Sequence, residues 1–349
     1  MRLRILPRSR KAWLRCLLIW AFVMLVGFIM LRRFVGMPGK SFSGPLPALS
    51  EEQLSVRDGM ELHVHELAGR LGERNAERPE ALDAAADYIA AEWRDCGYEP
   101  AEQTYDVRDR AGTLVRARNI EIDIPGSRRP GEIVVVGAHY DSVIGSPGAN
   151  DNASGVAALL ELGRLLHGRR FARTLRFVAF TNEEPPFFWT EMMGSRVYAR
   201  RCAERNENII GAVILETIGC YSDEPGSQSY PFPLGVVYPD RGDFIAFVGN
   251  TKSRALVRRA IGRFRRTAEF PSEGLAAPMI VPRVGSSDHW SFWKEGWPAI
   301  MVTDTAPLRY RHYHRGSDTP DKVDCDRAAR VAVGIGWVVA DLAGMAREE

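Results

Sequence analysis

Residues 133–160 read IVVVGAHYDSVIGSPGANDNASGVAALL. The run 133–137 is short, apolar and β-branched, the pattern of a strand buried on both faces. It leads to His139 and Asp141, and a turn of small residues spans 148–155. Beyond the turn, Val156, Leu159, Leu160, Leu165 and Leu166 recur at helical spacing and predict a helix over 155–167. A buried strand that runs into a helix is one α/β unit. Side chains just past the C-terminal end of such a strand line the crevice where open α/β sheets do their chemistry. The small-residue turn would present Asp151 at a helix start, where peptide dipoles favour a carboxylate able to bridge two cations.

The pattern recurs along the chain. Apolar runs at 115–124, 175–181, 212–215, 244–248 and 299–303 read as strands, and periodic segments at 51–71, 79–96, 254–265 and 327–346 read as helices. Alternating strands and helices predict a layered α/β domain over residues 50–349. Four of the strand runs end at residues of the metal-ligand type: His139 and Asp141, then Glu183 and Glu184, then Glu216, and after a short loop His312 and His314. One such coincidence carries little weight, whereas four point to a convergent site. A mixed imidazole and carboxylate set suits Zn²⁺, with Co²⁺ or Mn²⁺ as substitutes. Glu183 and Glu184 follow the apolar stretch 177–180, where burying two acids is costly without a partner. Glu216 taken alone also reads as a helix cap. His289 equally reads as a packing partner of Trp290 and Trp293, and His63, His65 and His167 as surface or structural residues.

A formal net charge of +2 over 349 residues gives no reason to propose a nucleic-acid partner. The one dense basic run, 254–266, has the spacing of a solvated helix face. Cys16, Cys96, Cys202, Cys220 and Cys325 form no CxxC pair, which argues against a thiolate metal site. Nothing in the sequence sets an oligomeric state.

Residues 16–31, CLLIWAFVMLVGFIML, carry no charge. Trp13 and Leu14 extend the apolar surface, so the run reaches the lower end of what a bilayer-spanning helix needs. Arg2, Arg4, Arg8, Arg10, Lys11 and Arg15 precede it, and only Arg32, Arg33 and Lys40 follow closely. The bias predicts a basic cytoplasmic segment at 1–15, a single membrane-spanning signal anchor at 16–31, a Pro/Gly/Ser-rich tether at 32–49 and an extracytoplasmic domain beyond. A cleaved signal peptide is the alternative. The run is longer than a usual signal core and no A-x-A site follows it.

Six segments appear in order across about residues 55–345: HYDS at 139–142, ANDNASG at 149–155, NEE at 182–184, LETIG at 215–219, SDH at 287–289 and YHRGSDTPDKVD at 313–324. Together they resemble the zinc aminopeptidase family M28, which also includes glutamate carboxypeptidases and glutaminyl cyclases. The resemblance implies a three-layer α/β/α fold around a mixed, mostly parallel sheet. It implies two Zn²⁺ ions, one held by His139 and Glu216, the other by Glu184 and His314, with Asp151 bridging both. Glu183 matches the general base, Tyr313 the tyrosine that polarises the tetrahedral intermediate, and Asp141 the carboxylate that orients the first histidine. Asp288 takes a supporting place. The same pattern selects His314 over His312 and implies a cis peptide bond at Asp151–Asn152. One departure stands out: the family's well-studied aminopeptidases have aspartate where this chain has Glu216.

The implied activity is hydrolysis of peptide substrates from one end, most simply as an aminopeptidase outside the cytoplasmic membrane. Two alternatives belong beside it, a single-zinc acyltransferase of the glutaminyl cyclase kind and a catalytically silent receptor-like ectodomain. The segment 185–193 is longer than the family's usual link at this point. Its aromatics Phe187, Phe188 and Trp189 read equally as a wall of the substrate pocket or as a hydrophobic plug.

Overall fold

The computed structural model describes residues 9–345. Arg2, Arg4 and Arg8 of the basic leader, and Ala346 at the predicted end of the last helix, lie outside them. The N-terminal half comprises α1 (Arg10–Val35), α2 (Glu51–Val64), α3 (Pro79–Asp95), β1 (Ala101–Arg108), β2 (Leu114–Ile124), β3 (Arg129–His139), α4 (Ser154–Leu166) and β4 (Arg173–Phe180). The remainder comprises α5 (Gly194–Glu204), β5 (Asn208–Leu215), β6 (Ile245–Gly249), α6 (Arg254–Thr267), β7 (Ser272–Ala276), α7 (His289–Lys294), β8 (Ala299–Thr303), α8 (Ala306–Arg309) and α9 (Cys325–Ala343).

The eight strands form one sheet in the order β1-β2-β4-β3-β5-β8-β6-β7. Its centre is parallel, β4 against β3, β3 against β5 and β5 against β8, and antiparallel pairings flank it. Alternation along β3 explains the layers. Val134, Val136 and Ala138 join the core under α2, α3, α4, α6 and α9, while Ile133 and Val135 face α5 and α7 through Tyr198, Cys202 and Phe292. The sheet is mixed and mostly parallel, between two helical layers, as the sequence implies.

Several elements escape sequence reading for identifiable reasons. The edge strand β1 (AEQTYDVR) is polar and largely exposed, and β7 (SEGLA) is short with a central glycine. The helix α5 (GSRVYARRCAE) carries three arginines, although Val197, Tyr198, Ala199 and Cys202 bury its inner face. The predicted helix 51–71 is α-helical to Val64 and continues as a π-helical turn, His65–Leu71.

The predicted tether behaves differently from a loose linker. Helix α1 continues to Val35, longer at both ends than 16–31, and none of its side chains is buried. Residues 36–47 then lie along the domain. Met37 and Leu46 pack on the main core. Ser41 Oγ accepts the Ser272 amide at 2.8 Å, and Arg330 donates to the Pro47 carbonyl at 2.5 Å. The basic run on α6 is correspondingly not only a solvated face. Arg254 donates to the Arg33 carbonyl at 2.9 Å, Arg258 to Gly36 and Arg265 to Pro38 at 3.2 Å. The physical reason is that a Pro/Gly-rich strap has carbonyls no helix or sheet satisfies, and guanidinium forks supply the donors.

Candidate metal centre

Strands β4, β3, β5 and β8 are adjacent and parallel, so their C-terminal ends open on one edge of the sheet. At a spacing of roughly 4.8 Å per strand, side chains from neighbouring ends meet across a few ångströms. His139 ends β3. Glu183 and Glu184 follow β4, Glu216 follows β5, and the loops after β8 and α8 bring Tyr313 and His314 back over the edge.

The turn carrying Asp151 is tied down atom by atom. Asp318 accepts the Asn150 and Asp151 amides at 2.8 and 3.1 Å, and Asp304 accepts the Asn150 side chain at 3.0 Å. Asn152 donates to the Leu215 carbonyl at 2.9 Å and accepts the Thr217 amide at 3.0 Å, which locks this turn to the segment bearing Glu216. Gly155 makes that junction possible, because a Cβ there would lie 2.3 Å from Asn152 Oδ1 and 2.8 Å from the Leu215 carbonyl. Gly148 opens the turn in the left-handed region, φ 61°. The Asp151–Asn152 peptide is cis, matching the resemblance. Three non-glycine residues at the site, Asn182, Thr217 and His314, also hold positive φ, a conformation that persists only where surrounding contacts impose it.

Two trios of ligand atoms share Asp151: His139, Asp151 and Glu216, then Asp151, Glu184 and His314. His139 Nε2 lies 3.4 Å from Asp151 Oδ1 and 3.3 Å from Glu216 Oε2, while His314 Nε2 lies 3.2 Å from Asp151 Oδ2 and 3.3 Å from Glu184 Oε2. Charge-assisted N–H···O⁻ bonds are shorter, near 2.8 Å, and neither imidazole nitrogen stands that close to either of its carboxylates. Donors held about 2.0–2.1 Å from a tetrahedral ion, by contrast, stand roughly 3.3 Å apart. His139 Nε2, both Asp151 oxygens and Glu184 Oε1 are buried without a hydrogen-bonding partner, which a folded protein tolerates only where something else satisfies them. The donors therefore fit two zinc ions.

Electrostatics agree with the geometry. Burial, reinforced by Asp151, pushes the Glu184 carboxyl well above its usual range. Burial, moderated by His139, does the same for Glu183 and raises Glu216. His139 stands well above its ordinary value: burial opposes this, but Glu216 and Glu183 outweigh it. Asp151 is held low despite burial by its contacts with the two histidines. The cluster holds more buried acids than its histidines can neutralise.

Supporting residues fall into place around the trios. Asp141 Oδ1 is 3.4 Å from His139 Nδ1, and the Asp141 carboxylate accepts the Glu183 and Glu184 amides, both at 3.1 Å. It positions both acids as well as the histidine. Asp288 is fully buried, its carboxyl pushed up to about 7 by burial, and neither oxygen meets a donor. Its neighbour Ser287 donates to Glu216 Oε2 at 2.7 Å. Tyr313 stacks on His314, centroids 3.9 Å apart, and burial keeps its hydroxyl protonated. His312 turns instead to Ser317, and His289 packs edge-on to Trp293 while meeting the Val284 carbonyl.

Sequence reading missed Arg74. Its guanidinium, wholly buried, donates to the carbonyls of Tyr140 (2.6 Å), Gly148 (2.8 Å), Gly72 (3.1 Å) and Pro147, and so clamps the loop between His139 and Asp151. No motif marks it, because its partners are backbone atoms distant in sequence. Leaving buried carbonyls such as these without their charged donor costs on the order of 3 kcal/mol. Arg74→Met should lower unfolding free energy by that amount in urea titrations and weaken zinc binding.

An apolar cavity adjoins the centre at Glu216 and Tyr313, walled by Tyr230, Leu234, Phe244, Val248, Leu275 and Met301. Phe187, Phe188 and Trp189 stand elsewhere. Phe187 packs against the small cluster of Ala76, Val107, Val115 and Ala117, and Trp189 stacks on Phe188 and donates to the Gly285 carbonyl at 2.9 Å.

Comparison with known proteins places the chain among zinc peptidases and their structural relatives. An uncharacterized Escherichia coli protein, YfbL, is 35% identical over 328 residues, covering 91% of this chain and 97% of the relative. A probable zinc metalloprotease of Pyricularia oryzae is 27% identical over 311 residues, 74% of this chain and 59% of the relative. Among solved structures, a zinc aminopeptidase from Bacillus subtilis superposes with a TM-score of 0.65 at 17% identity, covering 84% of this chain and 96% of that one. Fimbriiglobus ruber glutaminyl cyclase superposes with a TM-score of 0.61 at 20% identity, covering 87% and 98%. The model of peptidase family M28 matches residues 119–338, the span that contains every ligand of both trios. With a family model matching well over half of its length and a relative 35% identical along nearly all of it, this chain belongs to peptidase family M28.

Proposed function

We propose that the protein is a dinuclear zinc aminopeptidase, anchored by α1 with its N-terminus in the cytoplasm and its catalytic domain outside. The observation that carries the reading is the pair of ligand trios sharing Asp151, with Glu183 beside them but outside both. Zinc bound there supplies a water of lowered pKa and an electrophile for the scissile carbonyl. Glu183 Oε2, 3.9 Å from His139 Nε2, is placed to take the attacking water's proton and return it to the leaving amine. The Tyr313 hydroxyl, held protonated, donates to the oxyanion. Asp141 fixes both glutamates through their amides, so base and ligand keep one relative position.

A single-zinc acyltransferase needs only one trio. Both are complete here, with Glu216 hydrogen-bonded by Ser287 as a ligand rather than turned away. A silent ectodomain has no use for a base beside four buried ligand-type side chains, His139, Asp151, Glu184 and Glu216, whose burial is costly without ions. A panel of aminoacyl-nitroanilides with added zinc tests the proposal: release of nitroaniline supports it, and no release with any member of the panel counts against it.

The apolar cavity is assigned to the substrate's terminal side chain. Met301→Trp fills it, so kcat/KM for leucyl and phenylalanyl substrates should fall at least tenfold, about 1.4 kcal/mol, while the alanyl rate holds. Trp189→Ala, outside the cavity, should shift selectivity less. Equal losses on all substrates would remove this assignment.

A further inference from the structure

Beyond α1, the most exposed apolar side chains stand on two loops. Phe232 is 93% exposed and Val236 77%, on the connection between β5 and β6. Ile280 is 90% exposed beside Met279, on the connection between β7 and α7. An exposed aromatic on another segment, Trp189, joins them by donating to the Gly285 carbonyl, and a Cβ on Gly285 would lie 3.3 Å from the Met279 methyl.

The bases of these loops meet the end of α1. Phe34, in its last turn, packs on the apolar cluster of Phe244, Ala246, Val248, Ala277, Val284 and Met301, which Tyr230, Leu275 and Val281 also cover. Met37 lies against β7, where a Cβ on Gly274 would come within 2.7 Å of its side chain. Tyr238 donates to the Gly274 carbonyl and stacks on Tyr230, tying the first loop to the same place. Ile280 is therefore one residue, and Phe232 two, from side chains that share a cluster with Phe34. At about 3.8 Å per residue, both tips lie within a short reach of the helix end. A helix crossing a bilayer surfaces near Arg32 and Arg33, within a headgroup layer some 6–7 Å deep. Large apolar side chains exposed that close to a lipid surface have an obvious solvent, and Trp189 is of the residue type that settles at its interface.

The same cluster walls the cavity beside the metal ligands: Tyr230, Phe244, Ala246, Val248, Leu275, Val284 and Met301 all line it. We propose that the loops bearing Phe232 and Ile280 insert into the outer leaflet beside α1, with Trp189 at the interface, and seat the metal-site cavity against the membrane. The enzyme would then act on peptides held at the lipid surface by an anchor near their C-terminal end, with a free apolar N-terminal residue. The docked strap at 36–47 favours this, because it removes the slack that would let the domain wander from the bilayer. The proposal rests on the aminopeptidase reading and on α1 as the span.

The test uses the full chain in phosphatidylethanolamine/phosphatidylglycerol nanodiscs, with one fluorescent amino acid at position 232, 280, 114 or 20 and nitroxide-labelled lipid as quencher. Leu114 is exposed on β2, six strands from β7 and roughly 29 Å away across the sheet. Quenching of more than half the signal at 232 and 280 but not at 114 is the expected result. Quenching at 20 alone overturns the seated loops and spares the anchor, whereas none at 20 overturns both. In a second arm, Phe232→Asp with Ile280→Asp should slow cleavage of a lipid-anchored leucyl peptide about tenfold and leave soluble leucyl-nitroanilide unchanged. Equal effects on the two substrates would refute the substrate class. Failure of the wild type on the soluble substrate would sink the aminopeptidase reading itself.

Discussion

In the Glu183→Gln variant, kcat falls by at least 10²–10⁴-fold while zinc stoichiometry and melting temperature stay those of the wild type. The expectation separates two roles that buried acids in one cluster share. Glu183 belongs to neither ligand trio, and its amide is fixed by Asp141 through the backbone, so the amide side chain of Gln keeps the fold and the ligands intact. What Gln lacks is basicity. Glu184, the next residue, behaves in the opposite way: its oxygen sits 3.3 Å from His314 Nε2 in the second trio, and Glu184→Gln should lose metal along with activity. Metal analysis beside stopped-assay rates distinguishes them. Loss of zinc in Glu183→Gln would assign that carboxylate to coordination instead.

The second large effect is on stability. The folded, ion-free protein holds Glu183, Glu184 and Glu216 above their usual pKa, and His139 above its own. Groups whose pKa is raised on folding give the native state more protons than the unfolded one, so stability falls as pH rises through those values. Asp151 acts in the other direction, but its low pKa places its effect in acid, outside the neutral range. One extra native proton between pH 6 and 8 corresponds to about 3 kcal/mol, or a Tm drop on the order of 5 °C. Zinc reverses the sign. Binding requires those acids and His139 to release their protons, so affinity strengthens with pH, and metal at 1,000 times Kd restores about 4 kcal/mol. Differential scanning calorimetry at pH 6 and 8, with chelator or zinc, checks this. A chelated protein equally stable at both pH values would contradict it. Asp151→Asn should abolish the zinc-dependent gain, since that side chain serves both trios.

The candidate ligand residues stand out in the sequence because parallel strands advertise their C-terminal ends. His139, Glu184 and Glu216 each follow a buried apolar run, and the sheet order makes β4, β3 and β5 neighbours. The small-residue turn around Asp151 was legible for a steric reason that the structure supplies, since Gly155 stands against the Leu215 carbonyl. What did not show was held by groups without local periodicity. Arg74 satisfies loop carbonyls far away in sequence, and Asp318 and Asp304 accept amides of the Asp151 turn from segments more than 150 residues distant. Ser287 lay within a quoted motif, yet nothing local distinguishes its hydroxyl as the group that meets Glu216. The cavity was hidden too, because its walls bring side chains of β6, β7 and β8 together with Tyr230 and Val284 from two separate loops. In the same way, arginines spaced like a solvated face bind a strap that sequence presents as slack.

The most direct measurement is metal content of the purified full chain after zinc loading and removal of excess, by mass spectrometry of wild type, His139→Ala and His314→Ala. Two zinc ions per wild-type chain and about one in each variant is the result that a shared Asp151 between two sites predicts. A single zinc in the wild type, unchanged by His139→Ala, would show that only one trio binds and that the paired-ion reading is wrong.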